Sequence, residues 1–154
     1  MGQKKKVFMS FALATHTSLL IMDEPTSGLD PLIRSQLLDI LKEFMAKGGH
    51  GVFFSTHITS DLDKIADMLI MIDGGRIVFQ EEKDILLDNY RIVKGDIKDL
   101  NSDTEQLFLN IDKTSFGFTA ITKHTDKVKK HIPNIIVERP TIEDIMLSNI
   151  KGGQ

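Results

Sequence analysis

There is no cysteine among the 154 residues, which excludes disulfides, iron–sulfur clusters and Cys-type zinc sites. No apolar run approaches the ~18 residues needed to cross a bilayer. Nor is positive charge in excess. Nineteen Lys and Arg stand against 22 Asp and Glu, for a net charge of −3, so nothing supports a partner held by its phosphate backbone through bulk charge. Internal repeats and low-complexity segments are missing as well. Finally, none of the 11 glycines is followed by lysine. The chain therefore holds no Gly-Lys-Ser/Thr loop of the kind whose backbone amides cradle phosphates.

What is present suits a folded domain, with 41% hydrophobic and 27% charged residues, enough apolar material for a core and too much for overall disorder. The start imitates a secretory signal: Lys4, Lys5 and Lys6 as a charged region, Val7 to Leu13 as an apolar core, Ala12-Leu13-Ala14 as a cleavage site. The residues that follow belong to cytosolic chemistry and argue against that reading. Gly2 invites myristoylation, but the pattern wants Ser or Thr where Lys6 stands.

Up to about Asn89 strand and helix signals alternate, the pattern of a layered α/β fold. Ser18 to Met22 is a short apolar run suited to a strand buried on both faces. Asp30 caps a helix with Pro31 in its first position. Ile33, Leu37, Ile40, Leu41 and Phe44 repeat at helical spacing, and Lys47-Gly48-Gly49 supplies the stop. Gly51 to Thr56 reads as the next strand, and Ser60 with Asp63 as a capping box for a helix carrying Leu62, Ile65 and Ala66. Met68 to Ile72 and Arg76 to Phe79 flank Gly74-Gly75, a two-residue hairpin turn. From Tyr90 to Gln154 the signals weaken to strands at Phe116 to Thr122 and Ile135 to Arg139, with a charged helix at Asp126 to His131 between them. A final helix runs from Pro140-Thr141 to about Ser148. Lys127, Lys129, Lys130 and His131 read as a solvated helix face.

Leu19-Leu20-Ile21-Met22-Asp23-Glu24-Pro25-Thr26-Ser27-Gly28-Leu29-Asp30 carries the chemistry. Four apolar residues ending in two acids place Asp23 and Glu24 at the carboxyl end of a strand, where open α/β sheets bind ligands. One carboxylate there can hold Mg²⁺ against nucleotide phosphates, and the next can polarise an attacking water. Downstream, Ser55-Thr56-His57 closes a β-rich run, and a histidine so placed can donate a hydrogen bond to a phosphate.

The twelve-residue string resembles the Walker B and D-loop of ABC-family ATPases, and His57 stands where that family places its switch histidine. Gly2-Gln3-Lys4-Lys5-Lys6-Val7 resembles the end of the ABC signature, with Met1 where Gly is usual and the preceding Leu and Ser absent. Gln3 onward would open a helix toward the phosphates of a partner subunit's nucleotide. Ser27-Gly28 before Leu29-Asp30, and Thr56-His57-Ile58 rather than Ser-His-Asp, look like exporter subunits. Glu138 to Leu147 is similar to the segment that ends many exporter ATPase subunits.

The resemblance runs from Gly2 to Asn89 and implies the C-terminal part of a P-loop NTPase layered fold (residues 1–89), with a small α/β accessory region (residues 90–154). It implies a chain that begins inside the signature, without Walker A, the adenine-stacking aromatic or the glutamine loop, and that hydrolyses negligible ATP alone. The missing strand would leave apolar faces uncovered, so the isolated chain is expected to aggregate, oligomerise or need its other half. In an intact subunit Asp23 would hold Mg²⁺, Glu24 would activate water and His57 would contact the γ-phosphate of ATP. Ser27, Gly28 and Asp30 would form the D-loop of a head-to-tail dimer, and Gly2 and Gln3 would approach the opposite protomer's nucleotide. The implied partners are a membrane-spanning subunit and a second nucleotide-binding subunit, and the implied place is the cytoplasmic face of the membrane. A soluble ABC ATPase of translation or DNA repair, and a non-enzymatic fragment completing a site with another chain, are the alternatives.

Overall fold

A computed structural model describes residues 17–151. The expected signature end at Gly2 and Gln3, and the signal-like stretch over residues 4–14, lie outside the described residues. The chain divides into two compact units between Ala66 and Asp67.

The first unit is built from β1 (Leu19–Asp23), α1 (Pro31–Ala46), β2 (Gly51–Ser55) and α2 (Thr59–Ile65). The two strands run parallel, from Leu19 beside Gly51 to Asp23 beside Ser55, and parallel pairing requires a crossover, which α1 supplies. Asp30 starts that helix by accepting a hydrogen bond from the Ile33 amide at 3.0 Å, with Pro31 in the first position. Gly48 and Gly49 stop it at φ of +74° and +68°, a conformation that costs glycine little.

Period-two alternation decides the packing of the strands. Leu20 joins Leu38, Leu41 and Phe44 of α1 and Ile65 of α2 in one core, with Met22, Val52 and Phe54 packed against it. The intervening Leu19, Ile21 and Phe53 are exposed, Ile21 at 73%. The expectation that β1 is buried on both faces is therefore corrected: among the described residues it has one strand neighbour and one helical layer, and the opposite face is bare. The helix stripe is corrected too. A single neighbouring layer contacts a narrow strip, so Leu38, Leu41 and Phe44 are buried while Ile40 is exposed. Nor does a capping box open α2. Its first turn has no side-chain cap, and Ser60 lies inside the helix.

The second unit begins with the antiparallel hairpin β3 (Met68–Asp73) and β4 (Arg76–Glu82), turned by Gly74 and Gly75 at positive φ as expected. After α3 (Lys83–Asn89) comes a four-stranded sheet of β5 (Arg91–Gly95), β6 (Asn110–Thr114), β7 (Gly117–Thr122) and β8 (Ile136–Glu138). A 3₁₀ turn (Ile97–Asp99) and α4 (Ser102–Glu105) connect β5 to β6, and α5 (Thr125–His131) connects β7 to β8. The spatial order β6-β7-β5-β8, antiparallel throughout, is that of a split β-α-β unit. One face packs Val93, Phe118 and Ala120 against Val128 of α5 and Ile132 just after it. The other meets α6 (Ile142–Lys151), whose Ile142 and Ile145 are buried and which packs on β6 and β7. Thr141 and Asp144 exchange hydrogen bonds at the start of α6: the Thr141 hydroxyl donates to Asp144 Oδ2 at 2.6 Å and accepts from the Asp144 amide at 3.1 Å. Lys127, Lys129, Lys130 and His131 are exposed, the solvated face the sequence suggested. No helix among the described residues is long and apolar enough to cross a membrane.

Candidate functional site

Parallel strands finish at the same side, so the last residues of β1 and β2 lie together. Asp23 ends β1 beside Ser55, whose Oγ donates to Asp23 Oδ1. The ladder continues one residue further, the Glu24 amide donating to the Ser55 carbonyl at 3.0 Å. There the chain turns sharply: Glu24 has φ of +46°, alone among the described non-glycine residues in being positive. A side-chain-bearing residue adopts that conformation only where its surroundings hold it, and such positions gather at functional sites.

The turn aims the Glu24 carboxylate across to the segment after β2. Glu24 Oε1 accepts from the His57 amide at 3.0 Å and from His57 Nδ1 at 2.8 Å, the two residues being 33 apart in sequence. A carboxylate only accepts, so Nδ1 carries the proton and, in the neutral ring, Nε2 presents its lone pair outward. The His57 side chain is 72% exposed and open to a ligand. Asp23, Glu24 and His57 are thus brought to one strand end, as the sequence suggested.

Ser27, Gly28 and Asp30, the residues expected to form a D-loop, lie in and after the next turn. Ser27 donates its amide to the Glu24 carbonyl at 3.3 Å, and Gly28 follows at φ of +73°. Asp30 Oδ1 is engaged in capping α1 through the Ile33 amide. Gly2 and Gln3 lie outside the described residues.

Sequence reasoning missed a second set of polar residues behind the turn. Thr26 and Asp61 are both buried. The Thr26 hydroxyl donates to Asp61 Oδ2 at 2.5 Å, Arg34 Nε donates to Asp61 Oδ1 at 2.6 Å, and Arg34 Nη2 donates to Ser60 Oγ at 2.5 Å. The signal was present in outline: Asp61 stands four residues before Ile65, on the helix stripe where an apolar residue belongs.

Asp23 offers a hard oxygen donor, which suits Mg²⁺. Among the described residues no three acidic or histidine side chains form a metal cage. Mg²⁺ does not need one, since it is commonly held by one or two carboxylates together with substrate phosphates and water. The residues present fit the ion.

Comparison with known proteins decides the family. A family model described as "AAA domain, putative AbiEii toxin, Type IV TA system" matches residues 1–62. A "Putative ABC transporter ATP-binding protein" of Mycoplasma pneumoniae is 38% identical over 124 residues, which cover 79% of this chain and 36% of that protein. The chain belongs to the ABC transporter ATP-binding proteins. The Nod factor export ATP-binding protein I of a Bradyrhizobium is 25% identical over 95% of this chain and 51% of its own length. The methionine import ATP-binding protein MetN of Rhodopseudomonas palustris is 43% identical over 50% of this chain and 21% of its own. The chain thus spans about half or less of the relatives it matches. Its mixed α/β architecture is that of a P-loop NTPase-like layered fold.

Proposed function

We propose that this ABC chain carries the magnesium- and water-handling half of an ATP site, coupling ATP hydrolysis to transport by a membrane-spanning partner. The observation that supports this most is the convergence of Asp23, Glu24 and His57 at one strand end. Phosphoryl transfer depends on positioning and charge neutralisation more than on covalent help from protein. In this reading Asp23 holds Mg²⁺, which supplies charge neutralisation of the phosphate oxygens. Glu24 orients and activates the attacking water. His57 contacts the γ-phosphate; with Nδ1 on Glu24, a phosphate oxygen at Nε2 requires either the doubly protonated ring or release of Glu24. Release would free the carboxylate for water.

Ser27, Gly28 and Asp30 act as the D-loop of a head-to-tail dimer, with Gly2 and Gln3 near the nucleotide of the opposite protomer. The ABC-type domain extends to about Asn89, and residues 90–154 form an accessory module. Export is favoured over import because the match to the export protein extends over 95% of the chain, while that to the import protein covers 50%. The subunit would sit on the cytoplasmic face of the membrane through its partner.

The test is titration with Mg-ATP of the full chain alone and mixed with a polypeptide bearing a Gly-Lys-Ser/Thr loop. Hydrolysis is expected only in the mixture and is abolished there by Glu24→Gln. Robust turnover by the chain alone, or turnover in the mixture that survives Glu24→Gln, would overturn the proposal.

A further inference from the structure

We infer that Asp61 is a positioning residue, whose carboxylate, acting through Thr26 and Arg34, keeps Glu24 and His57 at bonding distance; the inference rests on the ATP-site reading above. Asp61 lies four residues after His57 in α2, and Thr26 lies two residues after Glu24. Asp61 is fully buried, and both of its oxygens are engaged, Oδ2 by the Thr26 hydroxyl and Oδ1 by Arg34 Nε. Arg34, anchored in α1, also grips Ser60. One carboxylate therefore joins the turn after β1, the crossover helix and the helix after β2.

Other restraints on these segments are local: the Glu24 amide donates to the Ser55 carbonyl at 3.0 Å, and the Ile58 amide donates to Thr56 Oγ1 at 3.0 Å. The turn from Glu24 to Leu29 is closed by backbone hydrogen bonds of 3.3 and 3.2 Å, at the long end of the normal range. It must also hold Glu24 in its left-handed conformation. The first turn of α2 has no side-chain cap. The Thr26–Asp61–Arg34 chain adds a side-chain link between the turn after β1 and the helix after β2. A buried ion pair is poor at adding stability over an apolar packing of equal volume. What it supplies well is a fixed arrangement, because each oxygen accepts along a defined direction.

The experiment compares the full-length chain with Thr26→Val, which keeps shape and removes the donor, and Thr26→Ser, which keeps the donor. Amide hydrogen exchange is read by mass spectrometry with residue-level fragmentation, in the absence of nucleotide. The acceptor of the His57 amide is Glu24, not Thr26 or Asp61. In Thr26→Val it should exchange about tenfold faster, the effect of losing one buried hydrogen bond to a charged group. The Leu41 amide should keep its wild-type rate, and Thr26→Ser should restore His57. An unchanged His57 amide in Thr26→Val, or His57 and Leu41 accelerating together, would overturn the inference, the latter by showing that Asp61 serves stability alone. If Thr26→Val shows no protected amides, Arg34→Lys takes its place with the same expected and overturning results. Failure of Mg-ATP to bind would remove the ATP reading and leave this result untouched. An unmoved His57 amide beside normal nucleotide binding would remove only the role of Asp61.

Discussion

Asp30 offers a clean separation of helix capping from signalling. Its carboxylate accepts from the Ile33 amide at 3.0 Å while its carbonyl accepts from the Arg34 amide at 2.9 Å. Replacing an Asp cap by Ala costs about 1 kcal/mol, which at an RT of about 0.59 kcal/mol is about a fivefold rise in opening of the first turn of α1. Asn keeps the acceptor and loses only the attraction of a full charge to the helix terminus, about 0.3 kcal/mol at an exposed end, so less than about twofold. Amide exchange at Ile33 and Arg34 in Asp30→Ala and Asp30→Asn measures both directly. Hydrolysis in the completed site should order the variants differently. If the charge of Asp30 acts across a dimer, both substitutions impair turnover comparably although only one loosens the helix. An Asp30→Ala chain with unchanged exchange would refute the capping argument, and equal loosening by Asn and Ala would show that charge rather than geometry holds the turn.

The bare face of β1 and β2, with Ile21 and Phe53 exposed, should drive self-association of the isolated chain, which Ile21→Lys reduces; sedimentation velocity reads this, and a wild-type chain sedimenting as a monomer would contradict it. Leu41→Ala, at a fully buried position in the first core, should cost about 2 to 5 kcal/mol, read as a lower denaturant midpoint of the first unit. Gly117→Ala should unfold the second unit, because φ is +146° and an added Cβ would lie 2.4 Å from the Gly95 carbonyl oxygen; native-like circular dichroism and melting would refute this. Gly28→Ala, strained at φ of +73° but without any steric conflict, should cost only about 1 kcal/mol and lower turnover in the completed site more than it lowers stability.

The first unit was legible wherever local chemistry agrees with the tertiary structure: the Asp30-Pro31 start of α1, its Gly48-Gly49 stop, and the apolar runs of β1 and β2. Burial was misread where the number of layers decides it. Nothing within Leu19 to Met22 states whether one or both faces of the strand are covered, and Ile40 differs from Leu41 only in which side meets a neighbour. In the second unit β5 and β6 were missed because Arg91, Lys94, Asp112 and Lys113 interrupt the apolar pattern. β6 is an edge strand, where such residues reach solvent, and in the interior strand β5 Arg91 donates to the Leu87 and Asp88 carbonyls while Lys94 pairs with Glu138. The meeting of Asp23, Glu24 and His57 at one strand end was readable from residue type and motif. Thr26 and Asp61 were not, because a buried polar pair 35 residues apart in sequence becomes visible only when the turn and the helix meet.

The level register of β1 with β2 has a consequence for how freely this protein can change. Spacing between the acids and the imidazole is measured across the ladder, not along the chain. The connection that carries α1 could lengthen or shorten by whole turns, provided Asp23 still ends beside Ser55, and the distances at the strand tips would survive. Deleting a single residue inside either strand is a different matter: it would slide one tip about 3.3 Å past the other and turn its side chains to the opposite side. Variation should therefore accumulate in the crossover, while the ten ladder residues keep their count.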